Sequence, residues 1–415
     1  MNKERNPWAW VPSLYFAQGM PYVIVMTVAV VMYKRLEISN TEIALYTSWL
    51  YLPWVIKPLW SPVVDLFKTK RWWILLMQLV IGAGLAGVAL TLPTSSFFRY
   101  SLAFFWLLAF SSATHDIASD GFYMLGLDKE KQAYFIGIRS TFYRIAMISG
   151  QGLLVILAGY FEEKFELPTT AWSFTFIVLA VLFILFLIYH HFVLPKPKTD
   201  IESNSLTLKE FWQTFASYFQ KENIVASLIF ILIFRLGEAQ LVKMATPFLM
   251  DSREIGGLGL STKEVGVAYG TIGILALTIG GILGGIVASR KGLKYWILPM
   301  ALAMNLPNLA YVYLSYAMPE NFWVISFAVG FEQFGYGFGF TAFMLYLIQF
   351  SDGKNKTAHY AISTGIMALG MMIPGMISGW LQEIMGYDKF FIWVTLCTIP
   401  GFVVIRYLKI DGDKE

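Results

Sequence analysis

The chain carries one cysteine, Cys397, among its 415 residues. No intrachain disulfide can form, and no thiolate metal site can be assembled. Charge is also scarce: Asp, Glu, Lys and Arg make up 14% of the residues, against about a quarter in soluble domains. A net charge of +4 on that background points to loop topology rather than to an anionic partner such as nucleic acid. The first six residues lack the basic, apolar, then small-residue order of a cleavable signal, so the chain from Trp8 is expected to form a retained first membrane span.

Apolar residues take the place of charge. They account for 57% of the chain, with aromatics at 17%, and the mean hydropathy is +0.59. Apolar runs broken by turn and charge signals predict twelve helical spans near 8–33, 43–66, 71–93, 98–127, 132–160, 170–194, 223–250, 262–289, 293–317, 321–350, 356–385 and 388–409. With the amino terminus in the cytoplasm, that side collects 19 basic loop residues and the other side 7, which favours both termini inside.

The longest polar connection divides the chain into a six-helix bundle over 1–194, a linker over 195–222 and a second bundle over 223–415. Within the linker, Leu208, Phe211, Trp212, Phe215 and Phe219 recur at helical spacing behind a Thr207-x-x-Glu210 capping box. That pattern predicts an amphipathic helix on the cytoplasmic membrane face, read most simply as a tether between the bundles. Lys129-to-Tyr134 aligns with Lys354-to-His359, and the basic cluster Lys68-to-Arg71 with Arg290-to-Lys294. The halves therefore read as parallel repeats, the architecture of the major facilitator superfamily: an all-α membrane fold of twelve helices with pseudo-two-fold symmetry.

Charge inside the spans is where function is expected, because an ionisable group at a helix centre costs about 2.5–3.5 kcal/mol on insertion scales. Span four contains Ser112-Ala113-Thr114-His115-Asp116-Ile117-Ala118-Ser119-Asp120. Spans four and five form a hairpin around residues 128–131, so residues whose numbers sum to about 259 share a depth. Asp120 then lies level with Arg139 and Asp116 with Arg144, and the two acids are four apart on one helix face. One reading is that the pairs hold the helices in register. The other is that a carboxylate exchanges protons as its hydration changes. His115 could extend such a relay or serve as a hydrogen-bonding core residue; no other histidine is expected in a span at its depth. His115 and Asp116 are adjacent and face apart, so no metal site and no cofactor is expected there.

In the second half Arg235, Glu238 and Lys243 lie on span seven, and Glu332 and Gln333 on span ten. Arg235 and Glu238 are spaced to pair locally, leaving Glu332 or an anionic substrate group for Lys243. Gly280-x-x-x-Gly284, Gly281-x-x-x-Gly285 and Gly335-x-x-x-Gly339 permit close helix approach. Gly19-Met20-Pro21 and Pro374-Gly375 are expected to interrupt spans one and eleven.

These strings resemble a known family. Ser112-to-Asp120 is similar to the Ser-Ala-Thr-Gln-Asp-Ile-x-x-Asp stretch of AmpG-type muropeptide permeases, a branch of the major facilitator superfamily. Lys57-Pro58-Leu59-Trp60-Ser61-Pro62-Val63-Val64-Asp65 matches that family's Lys-x-Leu-Trp-Ser-Pro-x-x-Asp. Leu236-Gly237-Glu238-Ala239 and Phe331-Glu332-Gln333 correspond to its Leu-Gly-Asp-Ala and Phe-Glu-Asn. The likeness runs from about Tyr15 to Pro400. It implies a proton-coupled inner-membrane importer of anhydro-muropeptides, with Lys57, Asp65, Asp116, Asp120, Glu238 and Glu332 as positions to test; a monomer is expected. His115 departs from the family's glutamine, and the chain ends after twelve spans where some members carry more.

Together these observations lead to an expected site. Asp116, Asp120, His115, Glu238 and Glu332 would handle protons. Lys57, Arg144, Lys243, Gln18, Tyr15 and Gln333 would contact substrate in a midplane cavity lined by spans 1, 4, 7 and 10, while Asp65, Arg139, Arg235 and Arg71 would serve structure or gating. A carrier for an oligosaccharide, a siderophore or an acyl-coenzyme A is the other transport reading. A polytopic enzyme fits poorly, since His115, His190, His191 and His359 form no catalytic constellation in sequence.

Overall fold

The computed structural model describes residues 5–197, 200, 208–353 and 355–410. All regular secondary structure among the described residues is helical, with no strand. Helix starts follow local chemistry. Thr69 accepts from the amide of Trp72 ahead of span three (Lys70–Thr91), and Asp128 accepts from Lys131 ahead of the helix Lys129–Ile148. That cap on a fully exposed loop holds the Asp128 carboxyl below its ordinary value, because the ionised form accepts the backbone N–H. Ser261 and Glu264 form a reciprocal capping box at the start of span eight.

Among the described residues, seven segments are long and apolar enough to cross a membrane on length and composition. Two of these, Thr262–Ala317 and Ala358–Ile405, each hold two spans joined almost without a loop. Gly292 at φ 70° and Gly386 at φ 77° break the helical path there, in a region of backbone space that L side chains rarely adopt. Spans two, four and ten are the helices Asn40–Trp49 with Leu52–Leu66, Phe97–Gly126 and Phe322–Phe350. The expected interruptions at Gly19–Pro21 and at Pro374 do not occur. Helix Val11–Val23 runs through Pro21, and a wider π turn follows at Ile24–Val28, where the ladder resettles after the missing proline N–H. Helix Lys356–Leu396 runs through Pro374. Span seven is the broken one: Ile224–Ile233 stops, and Leu236–Met250 restarts after Arg235.

The chain groups into two compact units. Unit 1 contains Met1–Leu36 and Ile56–Leu206; unit 2 contains Glu37–Val55 and Thr207–Glu415. The outer stretch of span two thus groups with helices far along the chain. Unit 1 packs Trp10, Tyr15, Phe122 and Tyr123 into a core. Unit 2 has one cluster around Phe248, Tyr311, Tyr387 and Phe391 and another around Phe230, Phe234, Phe343 and Tyr346. Large apolar side chains such as Leu153, Leu185, Ile286, Phe327 and Ile384 point outward, as lipid-facing positions should.

The linker helix forms at Leu208–Phe219. Tyr218 is buried and bonds Ser363 at 2.9 Å, and Ser217 meets His359 at 2.9 Å, while Trp212 and Phe219 are exposed. Thr207 of the expected capping box, and the side chains of Leu208, Glu210 and Phe211, lie outside the described residues.

Spans eight and ten touch backbone to backbone through their glycines. A Cβ at Gly280 would collide with the carbonyl of Phe334, and one at Gly337 with that of Leu277, whereas one at Gly285 would meet open space. Of the two overlapping small-residue repeats on span eight, Gly280 and Gly284 make the tight seam, while Gly281 stands at ordinary contact distance from Gly337. Gly337→Val is therefore expected to destabilise the fold by about 1–3 kcal/mol and Gly285→Ala to leave it unchanged; thermal midpoints of the purified variants in detergent check both.

Candidate functional site

In unit 1 the charges of spans two, four and five meet. Arg139 Nη2 lies 3.2 Å from Asp120 Oδ1, the contact expected from matched depth. The hydroxyl of Tyr15 donates to the same oxygen at 3.1 Å, and the guanidinium stacks over the rings of Tyr15 and Tyr123 at 4.6 and 5.0 Å. Asp116 does not pair with Arg144. Its partner is Lys57, Nζ to Oδ2 3.3 Å, on the helix of span two, while Arg144 is exposed on span five. Depth matching considered only the hairpin neighbour; a lysine on a third helix reaches Asp116 instead. Both pairs are partly exposed, with side-chain exposures of 29% and 16% for Lys57 and Asp116, and 30% and 41% for Arg139 and Asp120. They face open space rather than closed core.

His115 has a different role in the structure. It is buried, and its Nε2 lies 3.2 Å from Gln78 Nε2 on span three; the same amide nitrogen is 2.8 Å from His190 Nδ1 on span six (Pro168–Val193). An amide NH₂ has two hydrogens and can donate to both rings. In that arrangement both ring nitrogens accept, with the ring hydrogens on His115 Nδ1 toward Ser119 Oγ at 3.3 Å and on His190 Nε2 toward Ser13 Oγ at 3.0 Å; in the other, His190 Nδ1 donates to Gln78 Oε1 at 3.1 Å and its Nε2 accepts from Ser13. The result is a neutral polar bracket across spans one, three, four and six. It overturns the expectation that no second histidine shares the depth of His115. Nothing in the local pattern around Gln78 or His190 marks them, because the three residues come from three separate spans.

Arg71 fastens the end of span three to that of span six, Nη2 donating to the carbonyl of His191 at 2.5 Å, while the amides of Lys70 and Arg71 donate to Asp200 at 2.7 and 3.1 Å. Gln18 is buried, and its Oε1 has no hydrogen-bond partner among the described residues. The side chain of Asp65 lies outside the described residues.

Unit 2 treats its charges by burial. Arg235 does not pair with Glu238: it donates to the hydroxyl of Tyr336 and lies over the ring of Phe340 at 4.8 Å. The break in span seven places Arg235 ahead of the new helix, so its side chain turns to span ten while Glu238 enters the first turn. Both carboxylate oxygens of Glu238 and Oε1 of Glu332 are buried without a hydrogen-bond partner among the described residues. Oε2 of Glu332 accepts from Gln333 at 2.9 Å. Lys243 does not meet Glu332; its Nζ donates to Thr47 Oγ1 at 2.9 Å and sits 5.2 Å from the Tyr51 ring centre, both on the outer part of span two.

Two variant sets check these contacts. Asp120→Arg or Arg139→Asp alone is expected to lower folded yield, and the double exchange to restore it; failure of the exchange to rescue would show that the pair is not a contact of the folded state. His115→Leu strands a buried Gln78 donor and is expected to cost about 1–3 kcal/mol, whereas His115→Gln, which keeps an acceptor there, holds the thermal midpoint near that of the parent.

The comparisons with known proteins agree with this architecture. A family model described as Major Facilitator Superfamily matches residues 13–379. A transporter named AmpG 4 from Rickettsia conorii is 28% identical over 95% of both chains. The anhydromuropeptide permease of Escherichia coli K12 is 25% identical over 94% of this chain and 77% of its own. Among solved structures, the nucleoside transporter NupG superposes with TM-score 0.69 at 14% identity, covering 97% of this chain and 98% of that one. A D-xylose–proton symporter superposes with TM-score 0.73 at 11% identity, covering 97% of each. With the family match spanning most of its length and the twelve-helix fold in place, the chain belongs to the major facilitator superfamily and is a membrane carrier rather than an enzyme.

Proposed function

We propose that the protein is a proton-coupled importer of anhydro-muropeptides or related amino-sugar saccharides, acting as a monomer in the bacterial inner membrane with both termini in the cytoplasm. The observation that carries the substrate class is the similarity over nearly the whole chain to relatives named AmpG and anhydromuropeptide permease. Partly exposed cations suit such a cargo. Lys57, Arg139 and Arg144 in unit 1 can receive substrate carboxylates, with Tyr15 against Arg139 and the unpartnered Oε1 of Gln18 as a further polar group. In unit 2, Lys243 and Gln333 are the corresponding groups. Alternating access of the bundles 1–194 and 223–415, joined by the linker 195–222, moves the cargo across.

Of the five groups expected to handle protons, Glu238 and Glu332 have the arrangement that suits the task. Asp116 and Asp120 already have cationic partners, and His115 is held in a neutral bracket. Glu238 instead sits in the first turn of a half-helix, whose partial positive charge favours the ionised form. Burial without a hydrogen-bond partner opposes it. A motion that wets the pocket tips that balance, which is the requirement for a coupling site.

Uptake of radiolabelled anhydro-muropeptide into proteoliposomes under an imposed pH gradient tests the reading, and no gradient-driven uptake would sink it. Glu238→Gln and Glu332→Gln are expected to abolish accumulation while counterflow exchange persists. Asp116→Asn and Asp120→Asn are expected to retain accumulation in whatever protein folds. Loss of accumulation in those two at full folded yield would move the proton site to unit 1.

A further inference from the structure

The end of the linker meets the near ends of spans seven, ten and twelve, and these four pieces border a cavity of about 360 Å³ within unit 2. After helix Leu208–Phe219 the Lys221 amide returns to the Tyr218 carbonyl at 3.3 Å, and Asn223, at φ 59°, turns the chain into span seven. The Asn223 side-chain amide donates to the Tyr407 carbonyl at the end of span twelve, 3.1 Å away, and does not cap the helix. The amino end of Ile224–Ile233, which carries partial positive charge, is thus left without a side-chain cap beside the cavity.

Charges of both signs line this space. Lys221 Nζ donates to the backbone carbonyl of Asp352 at 2.8 Å, not to its carboxylate, and lies 5.6 Å from the Phe350 ring centre. Burial holds that ammonium below the ordinary lysine value, against the opposing charge of Asp352. Lys409 pairs with Glu222, and both are strongly exposed, so the pair exchanges partners at small cost. Two ammonium groups and two carboxylates therefore border one small polar cavity. A lone anion gains from the lysines and loses to the carboxylates, whereas a group that joins an anion to an ammonium answers both signs. The surroundings suit a lipid. Val225, Ile348 and Tyr407 stand within two residues of lining residues and are exposed, as are Trp212 and Phe219 on the linker helix. Trp212, Phe215 and Phe219 form one aromatic stripe, with successive ring centres 5.8 and 5.4 Å apart, that ends two residues ahead of Lys221. Exposed rings leading to a polar pocket at the end of membrane spans give acyl chains a surface and a headgroup a seat.

We propose that this cavity binds one phospholipid whose headgroup joins a phosphate to a primary ammonium, the phosphate meeting Lys221 and Lys409, the ammonium meeting Asp352 and Glu222, and an acyl chain lying along the Trp212–Phe219 stripe. Bound there, the lipid ties the end of the linker to spans seven, ten and twelve. The same headgroup chemistry exists in water-soluble glycerophosphoethanolamine, and the test separates the two sources. No arm of it needs a transported substrate, so its outcome is independent of the muropeptide reading.

The full chain, stripped of lipid in detergent, is titrated with short-chain phosphatidylethanolamine, phosphatidylcholine or phosphatidylglycerol while its thermal midpoint is followed. The ethanolamine lipid is expected to raise the midpoint saturably by about 4 °C. Choline, whose quaternary ammonium donates no hydrogen bond, and glycerol, which brings no cation, are expected to need about tenfold more lipid for half saturation. Lys221→Gln and Asp352→Asn are each expected to raise the half-saturating concentration of the ethanolamine lipid about tenfold. Lys291→Gln, at the same end of span eight but not lining the cavity, leaves it unchanged. Should Lys221→Gln fail to fold, Lys409→Gln on the exposed pair replaces it. Equal titrations with all three lipids, or unchanged half saturation in the lining variants, would overturn the site. An equal midpoint shift from glycerophosphoethanolamine at the same concentration would overturn the lipid as its occupant.

Discussion

Hydrocarbon gives no water to a charge or to an unpaired peptide group, so a polar side chain placed inside a span is stabilised when another span answers it. The helices of this carrier are arranged around that requirement. Where Asp120 lies on span four, Arg139 on span five and the Tyr15 hydroxyl on span one must come to the same depth. Where His115 lies, Gln78 and His190 must follow. Each contact fixes a helix in rotation and height at once, something apolar packing in lipid does poorly because lipid tails are as apolar as leucine.

The two units meet the requirement in opposite ways. Unit 1 answers charge with opposite charge and leaves both partly wet. Such pairs are shielded, and they can exchange one partner for a substrate group at small cost. Unit 2 closes its charges in, with Glu238 and Glu332 dry and Lys243 covered by neutral groups. Dry groups respond strongly to a change in hydration, and wet pairs weakly. The asymmetry sets a half whose charges meet in partly exposed pairs against one whose charges are enclosed.

Much of this plan was legible in the sequence. Twelve apolar runs, the duplicated basic loops and the Lys57-to-Asp65 string led to the superfamily, and the hairpin at residues 128–131 led to the Asp120–Arg139 contact. Partners from distant spans were not legible. Lys57 reaching Asp116, Gln78 joining His115 to His190, and Asn40 meeting Asp251 each depend on how helices pack, which no local spacing encodes. Arg235 shows a second limit. Three residues from Glu238 along an unbroken helix would favour pairing, but the helix restarts between them and the guanidinium turns to Tyr336. Prolines misled in the other direction: Pro21 and Pro374 lie inside continuous helices, while span seven breaks at Phe234–Arg235, where neither glycine nor proline stands.

The joints at Gly292 and Gly386 carry a consequence for how such a chain is made and moved. Each replaces a loop by about one residue of irregular backbone. Spans eight and nine, and likewise eleven and twelve, are therefore built as hairpins whose joints leave little slack for one arm to slide past the other. A tilt of the glycine-lined span eight is passed directly to span nine, and a tilt of span eleven to span twelve.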